Sequence, residues 1–279
     1  MHIHHVIPIE VKHLFPVLDG KLQELLRSLS EEEWHRPATS PGWQVKDVAA
    51  HLLDGNLRSI SILRDKYYGD KPEHLSGYGD LVNYLDSLNA SWIRAYRRIS
   101  PVVLVQMLEQ YGKEYNDLAE QLDPWHDAAF PVAWAGEEIA TNWFHMAREY
   151  AAKWLHQQQI RSATGREGLF DPELFHPFVA TYMCGLPYTY RDVAAATGTS
   201  VAVLVTGLED EWHINKTDEG WVLRKSTRLQ PDSRVVLDRE TAWKLFAKAI
   251  SPEEAAGLAL IEGDRELGLP ALGLVRVTA

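Results

Sequence analysis

The feature that most limits what this chain can fold into is a change of hydrophobic period along its length. Apolar residues at Leu14, Val17, Leu18, Leu22, Leu25, Leu26 and Leu29 follow the three-and-four spacing that draws a single stripe along a helix. Ser30 ahead of three glutamates predicts a short capped helix, with the carboxylates at its positive end. Further helices are expected at 45–68, 81–99 and 101–122, the last opened by Pro101. A loop follows at 123–136, then a long helix at 137–164 closed by Gly165. Long helices on short connections are the pattern of an up-down helical bundle. A further helix carries Phe175, Phe178, Val179 and Tyr182. Beyond Gly198 the pattern becomes that of strands, at 200–206, 211–216, 221–226 and 234–237. A helix at 240–250 and short strands at 258–262 and 274–277 complete the chain. The expectation is an all-α N-terminal domain over 1–167 and a small α+β domain over 168–279.

Composition removes several function classes. The chain of 279 residues has 28 Lys and Arg against 39 Asp and Glu, a net charge of −11. That balance argues against nucleic acid as a partner, because phosphate binding draws on surplus cations. No apolar run approaches the ~20 residues of a membrane span. Residues 1–5 lack the basic-then-apolar pattern of a secretory signal, so a cytoplasmic location is expected. Cys184, the single cysteine, excludes an intramolecular disulfide and a cysteine-rich zinc site, and its apolar surroundings suit buried filler. Gly-rich phosphate loops, G-x-S-x-G and paired-histidine zinc motifs are absent. Arg94, Arg97 and Arg98 share one helix face and read as a solvated surface.

The chemistry on offer is imidazole chemistry. His51 sits in an apolar helix stretch, and a single histidine there is ordinarily a satisfied interior residue. On the long later helix His145, Glu149, Ala152 and His156 stand at offsets of 0, 4, 7 and 11, which return to nearly one face. Histidine and carboxylate one turn apart can hold a divalent ion, and a third imidazole from a facing helix would complete a facial set with open positions.

Trp34, His35, Arg36 and Pro37, followed by Thr39, Ser40, Pro41, Gly42, Trp43, Asp47 and His51, resemble the opening signature of mycothiol-dependent maleylpyruvate isomerase-like proteins. These belong to the DinB-like metal-binding four-helix bundles. The stretch from Lys153 through His156 to Arg161 resembles the helix that supplies the family's other ligands. The pattern around Asp238, Trp243, Gly263, Asp264 and Gly268 is similar to a sterol-carrier-like second domain. The resemblance implies a metal triad of His51, a glutamate and His156, but the glutamate position falls on Ala152, whose methyl group cannot bind a metal. Glu149, one turn earlier on the same face, is the candidate substitute, giving a set of His51, Glu149 and His156 for zinc or nickel. The displacement of one turn calls for a bent helix, a metal shifted to His145, Glu149 and His51, or a bridging water. The implied function is isomerisation or thiol transfer with a divalent metal and a diffusible low-molecular-weight thiol. The alternative is a catalytically silent small-molecule-binding protein with a degenerate metal site. Gln157 and Arg161 are candidate contacts for the thiol or an acidic substrate, or else the hydrated end of the helix. The partners implied are a small-molecule substrate or thiol, with a homodimer as an assembly open to the chain.

Overall fold

The computed structural model describes residues 8–70, 78–129, 140–224 and 230–274. These form two compact units. One contains 11–70, 78–129 and 152–169; the other contains 8–10, 140–151, 170–224 and 230–274. Residues 140–151 group with the sheet rather than with the preceding helices.

The helical unit begins with a 3-10 turn, Lys12–Leu14, leading into α1 (Phe15–Arg27). Helix α2 (Glu31–Trp34) has the predicted cap: Ser30 Oγ accepts from Glu33 N–H at 3.2 Å, and Glu33 Oε2 accepts from Ser30 N–H at 2.9 Å. Three longer helices follow, α3 (Val45–Leu63), α4 (Tyr78–Tyr96) and α5 (Pro101–Glu120). The expected 45–68 helix stops five residues early, where the apolar stripe ends, Tyr67 and Tyr68 are exposed and Lys66 takes a positive φ. Helix α6 (Asn142–Thr164) starts later than the expected 137; residues 137–139 lie outside the described part. Leu22, Leu26, Val48, Leu53, Leu104, Leu108 and Ile160 from α1, α3, α5 and α6 close a common core. Helix α5 carries Gly112 where it passes α1, and a Cβ there would stand 2.9 Å from Asp19 Oδ2.

The other unit is α+β. Helices α7 (Pro172–Met183) and α8 (Leu186–Thr189) precede a five-stranded sheet. Its strands are β1 (Ser200–Val205), β2 (Glu211–Thr217), β3 (Gly220–Arg224), β4 (Ser233–Leu237) and β5 (Leu260–Gly263), in the order β3-β2-β1-β4-β5. Only β1 and β4 pair in parallel, Val203 opposite Val235; the other neighbours are antiparallel. Helix α9 (Arg239–Phe246) is capped by Asp238, whose side chain accepts from Glu240 and Thr241 N–H. It buries Trp243 and stacks Phe246 on Tyr182 of α7 at 4.8 Å. Two short helices missing from the sequence reading, α10 (Pro252–Leu258) and α11 (Arg265–Gly268), flank β5. The strand expected at 258–262 is observed as Leu260–Gly263, because Ser251 caps α10 through Leu258. The strand expected at 274–277 falls outside the described residues except for Leu274, which is not in a strand.

Candidate functional site

The signature segment folds into a tight, well-tied turn. Pro37 and Gln44 form an antiparallel bridge, Ala38 N–H donates to Trp43 O at 2.8 Å, and Trp43 N–H donates to Ser40 O at 3.1 Å. Gly42 closes the turn with φ of 77°, a left-handed conformation that favours glycine. Helix α3 starts at once. Asp47 Oδ2 accepts from Gln44 N–H at 3.0 Å, and the same carboxylate receives Arg97 Nη2 at 3.0 Å and Nε at 3.2 Å. Arg97 is therefore an anchor for the first turn of α3 rather than only a solvated surface residue. Trp92 of α4 adds an indole N–H to Ala50 O at 2.8 Å.

Those ties place His51 one turn beyond Asp47. Its ring lies 5.2 Å from the Trp43 ring and 4.7 Å from the His156 ring, edge to face in both cases. The two imidazoles singled out on separate helices thus meet within the helical unit. His156 is buried, and its Nδ1 lies 2.9 Å from Gln159 Oε1, while Gln159 Nε2 donates to Ser40 Oγ at 3.3 Å. Sequence reasoning missed Gln159 and Ser40; the available signal was the i, i+3 spacing of Gln159 from His156.

The polar run after His156 is not a hydrated helix end. Gln157 is 1% exposed and Gln158 3%. Gln157 Nε2 donates to Leu18 O at 2.9 Å, and Gln158 Oε1 accepts from Leu169 N–H at 2.9 Å. Arg161 donates to Glu167 O at 3.0 Å and reaches Gln157 Oε1 at 3.5 Å. One turn before Gln157, Lys153 Nζ pairs with Asp19 at 3.1 Å, lies 4.7 Å from the Tyr115 ring centre, and lines a narrow cleft with Asn56 and Gln157. His145 is buried on the earlier part of α6, in the sheet-bearing unit, and loss of hydration pushes its pKa below the usual histidine value. Cys184 is buried, as expected of filler.

A catalytic zinc-type site takes three protein donors and leaves one position open. The residues present do not supply such a set at the histidine pair. His51 and His156 contribute nitrogens, but Ala152, one turn before His156, contributes none. Glu149 stands a further turn back, about 4.5 Å along the axis at 1.5 Å per residue. Among the described residues no three His, Cys, Asp or Glu side chains form a group able to hold a metal ion.

Comparison with known proteins adds the family. Residues 16–161, just over half of the chain, match the model of the mycothiol maleylpyruvate isomerase N-terminal domain. A solved structure of the mycothiol-dependent maleylpyruvate isomerase is similar with a TM-score of 0.54 at 11% identity, over 94% of this chain and 95% of that one. A histidine-to-alanine variant of that enzyme gives a TM-score of 0.55 at 10% identity, with the same coverage. At such identities the likeness speaks for the fold. No curated protein matches the chain. The signature turn, the helix bearing His51 and His156 itself all fall within the matched region, and the chain belongs to the mycothiol maleylpyruvate isomerase family.

Proposed function

We propose that this protein handles a low-molecular-weight thiol of the mycothiol class at the His51–His156 pair, and that the imidazoles themselves receive the thiol proton. The observation that carries the reading is two histidine rings meeting at 4.7 Å where the expected third donor is an alanine. A free thiol has a pKa of about 8.5 and is mostly unreactive at neutral pH. A neutral imidazole can take its proton, and the resulting imidazolium favours the thiolate beside it. The thiolate lone pair then forms a C–S bond to an electron-poor alkene carbon of a small unsaturated acid. The C=C π pair moves onto the conjugated carbonyl as an enolate and leaves a rotatable single bond. Return of that pair after rotation expels the thiolate, and isomerises the substrate without net oxidation or reduction. Maleylpyruvate is the substrate in the names of the solved neighbours and is the first compound to assay.

The metal-dependent reading, with zinc or nickel on His51, Glu149 and His156, rests on family membership. One experiment separates the two. Metal content and mycothiol affinity are measured before and after chelation in wild type, His156→Ala and Ala152→Glu. Chelation is expected to leave the wild-type affinity within twofold, His156→Ala to weaken it at least tenfold, and Ala152→Glu to create zinc binding. A stoichiometric metal in wild type, with thiol binding lost on chelation, overturns the imidazole reading. Thiol binding without turnover of any unsaturated acid would make the protein a silent binder. A cytoplasmic location and a sterol-carrier-like character of the second unit belong to this proposal as well. No helix among the described residues is long and apolar enough to cross a membrane.

A further inference from the structure

We infer that Gln159 is a positioning residue, which holds His156 as the Nδ1–H tautomer and thereby presents Nε2 as the basic nitrogen. The inference concerns the site of the reading above and deepens it. Its evidence is the geometry of one buried amide. Gln159 is 4% exposed and sits on the same face of α6 as His156. Its Oε1 lies 2.9 Å from His156 Nδ1, and its Nε2 donates to Ser40 Oγ at 3.3 Å. A carbonyl oxygen only accepts, so the proton on that contact belongs to Nδ1. A neutral imidazole carries one N–H, which leaves Nε2 with a lone pair.

The choice of an amide has a chemical consequence. A carboxylate at this position would also hold the Nδ1 proton, but it would add a negative charge that favours the imidazolium. Glutamine fixes the tautomer and brings no charge. Its other end is held by the hydroxyl of the turn that also places Trp43 against His51. One turn of the chain therefore bears on both rings, on His51 through Trp43 and on His156 through Gln159.

The test reads the ring nitrogens directly, in chelator-treated protein without thiol, so its failure is distinct from failure of the thiol reading. Two-bond 1H–15N correlations of histidine-labelled protein, recorded at about pH 8, above the ordinary histidine pKa, report the neutral tautomer. Wild type is expected to show His156 with a protonated Nδ1 and an unprotonated Nε2. Gln159→Leu removes the acceptor and should abolish that pattern, while Gln159→Glu keeps an acceptor and should retain the Nδ1 proton. Thiol affinity is expected to fall about tenfold in Gln159→Leu, the lower end of what loss of a ring-orienting partner costs. A wild-type spectrum with the proton on Nε2 overturns the inference, as does an unchanged pattern in Gln159→Leu. Should that variant fail to fold, the wild-type spectrum alone decides.

Discussion

Around α7, β1 and α9 the buried side chains are almost all apolar: Phe178, Tyr182, Val203, Trp243 and Phe246. Along α1 and α6 the interior also takes in Asp19, Lys153, His156, Gln157 and Gln158, each held by a named partner. The sheet-bearing unit is stabilised chiefly by area removed from water and by dense packing. The helical unit depends in addition on the partners these withdrawn polar groups have, because a buried polar group left alone costs about 1–3 kcal/mol. The histidine pair lies in the second kind of interior, where hydrogen bonds fix ring orientation.

Substitutions can break or sharpen this contrast. The largest effect is expected at Trp243, fully buried on α9, where Trp243→Ala should cost about 3–5 kcal/mol in denaturant unfolding. Lys153→Met should come next, at about 3 kcal/mol, because it leaves Asp19 mostly buried without its cation. Adding Asp19→Asn to that variant should recover much of the loss, since no unpaired charge then remains. A double variant as unstable as the single one would show that the packing of Lys153, and not its charge, matters there. The smallest effect concerns Asp54, buried on α3 with Arg58 at 3.2 Å. Loss of hydration raises its carboxyl pKa, and Arg58 only partly offsets this. An acid whose folded pKa exceeds its unfolded value costs stability once ionised; that cost is absent below about pH 4 and complete above the folded value. Asp54→Asn should therefore match wild type at about pH 4 and gain on it toward pH 7. A constant difference across that range would show that ionisation is not the cause.

Much of this architecture was legible because helix starts and apolar stripes are local. Ser30 with Glu33, Pro101 behind Ser100, and the turn ending at Gly42 were each readable from residue type alone. The meeting of His51 with His156 was readable only through the family resemblance, since spacing within one helix says nothing about which helix it faces. The sequence leaves a hydrated helix end open as one alternative for Gln157 for a physical reason. A polar side chain in a helix has the same local signature in water or in the interior, and only tertiary partners such as Leu18 O and Leu169 N–H tell them apart. Arg97 was hidden likewise, because its partner Asp47 lies fifty positions away.

The glycine in α5 beside Asp19 bears on any attempt to make this protein hardier. Replacing helix glycines by alanine stiffens the unfolded chain, and gains roughly 0.4–1 kcal/mol where the added methyl is accommodated. Gly20 and Gly55 qualify, with nothing within 4 Å of the new carbon. At Gly112 the methyl would press on the carboxylate that holds Lys153, so a thermostable redesign would keep this helix at its weakest residue to spare an ion pair on the neighbouring helices.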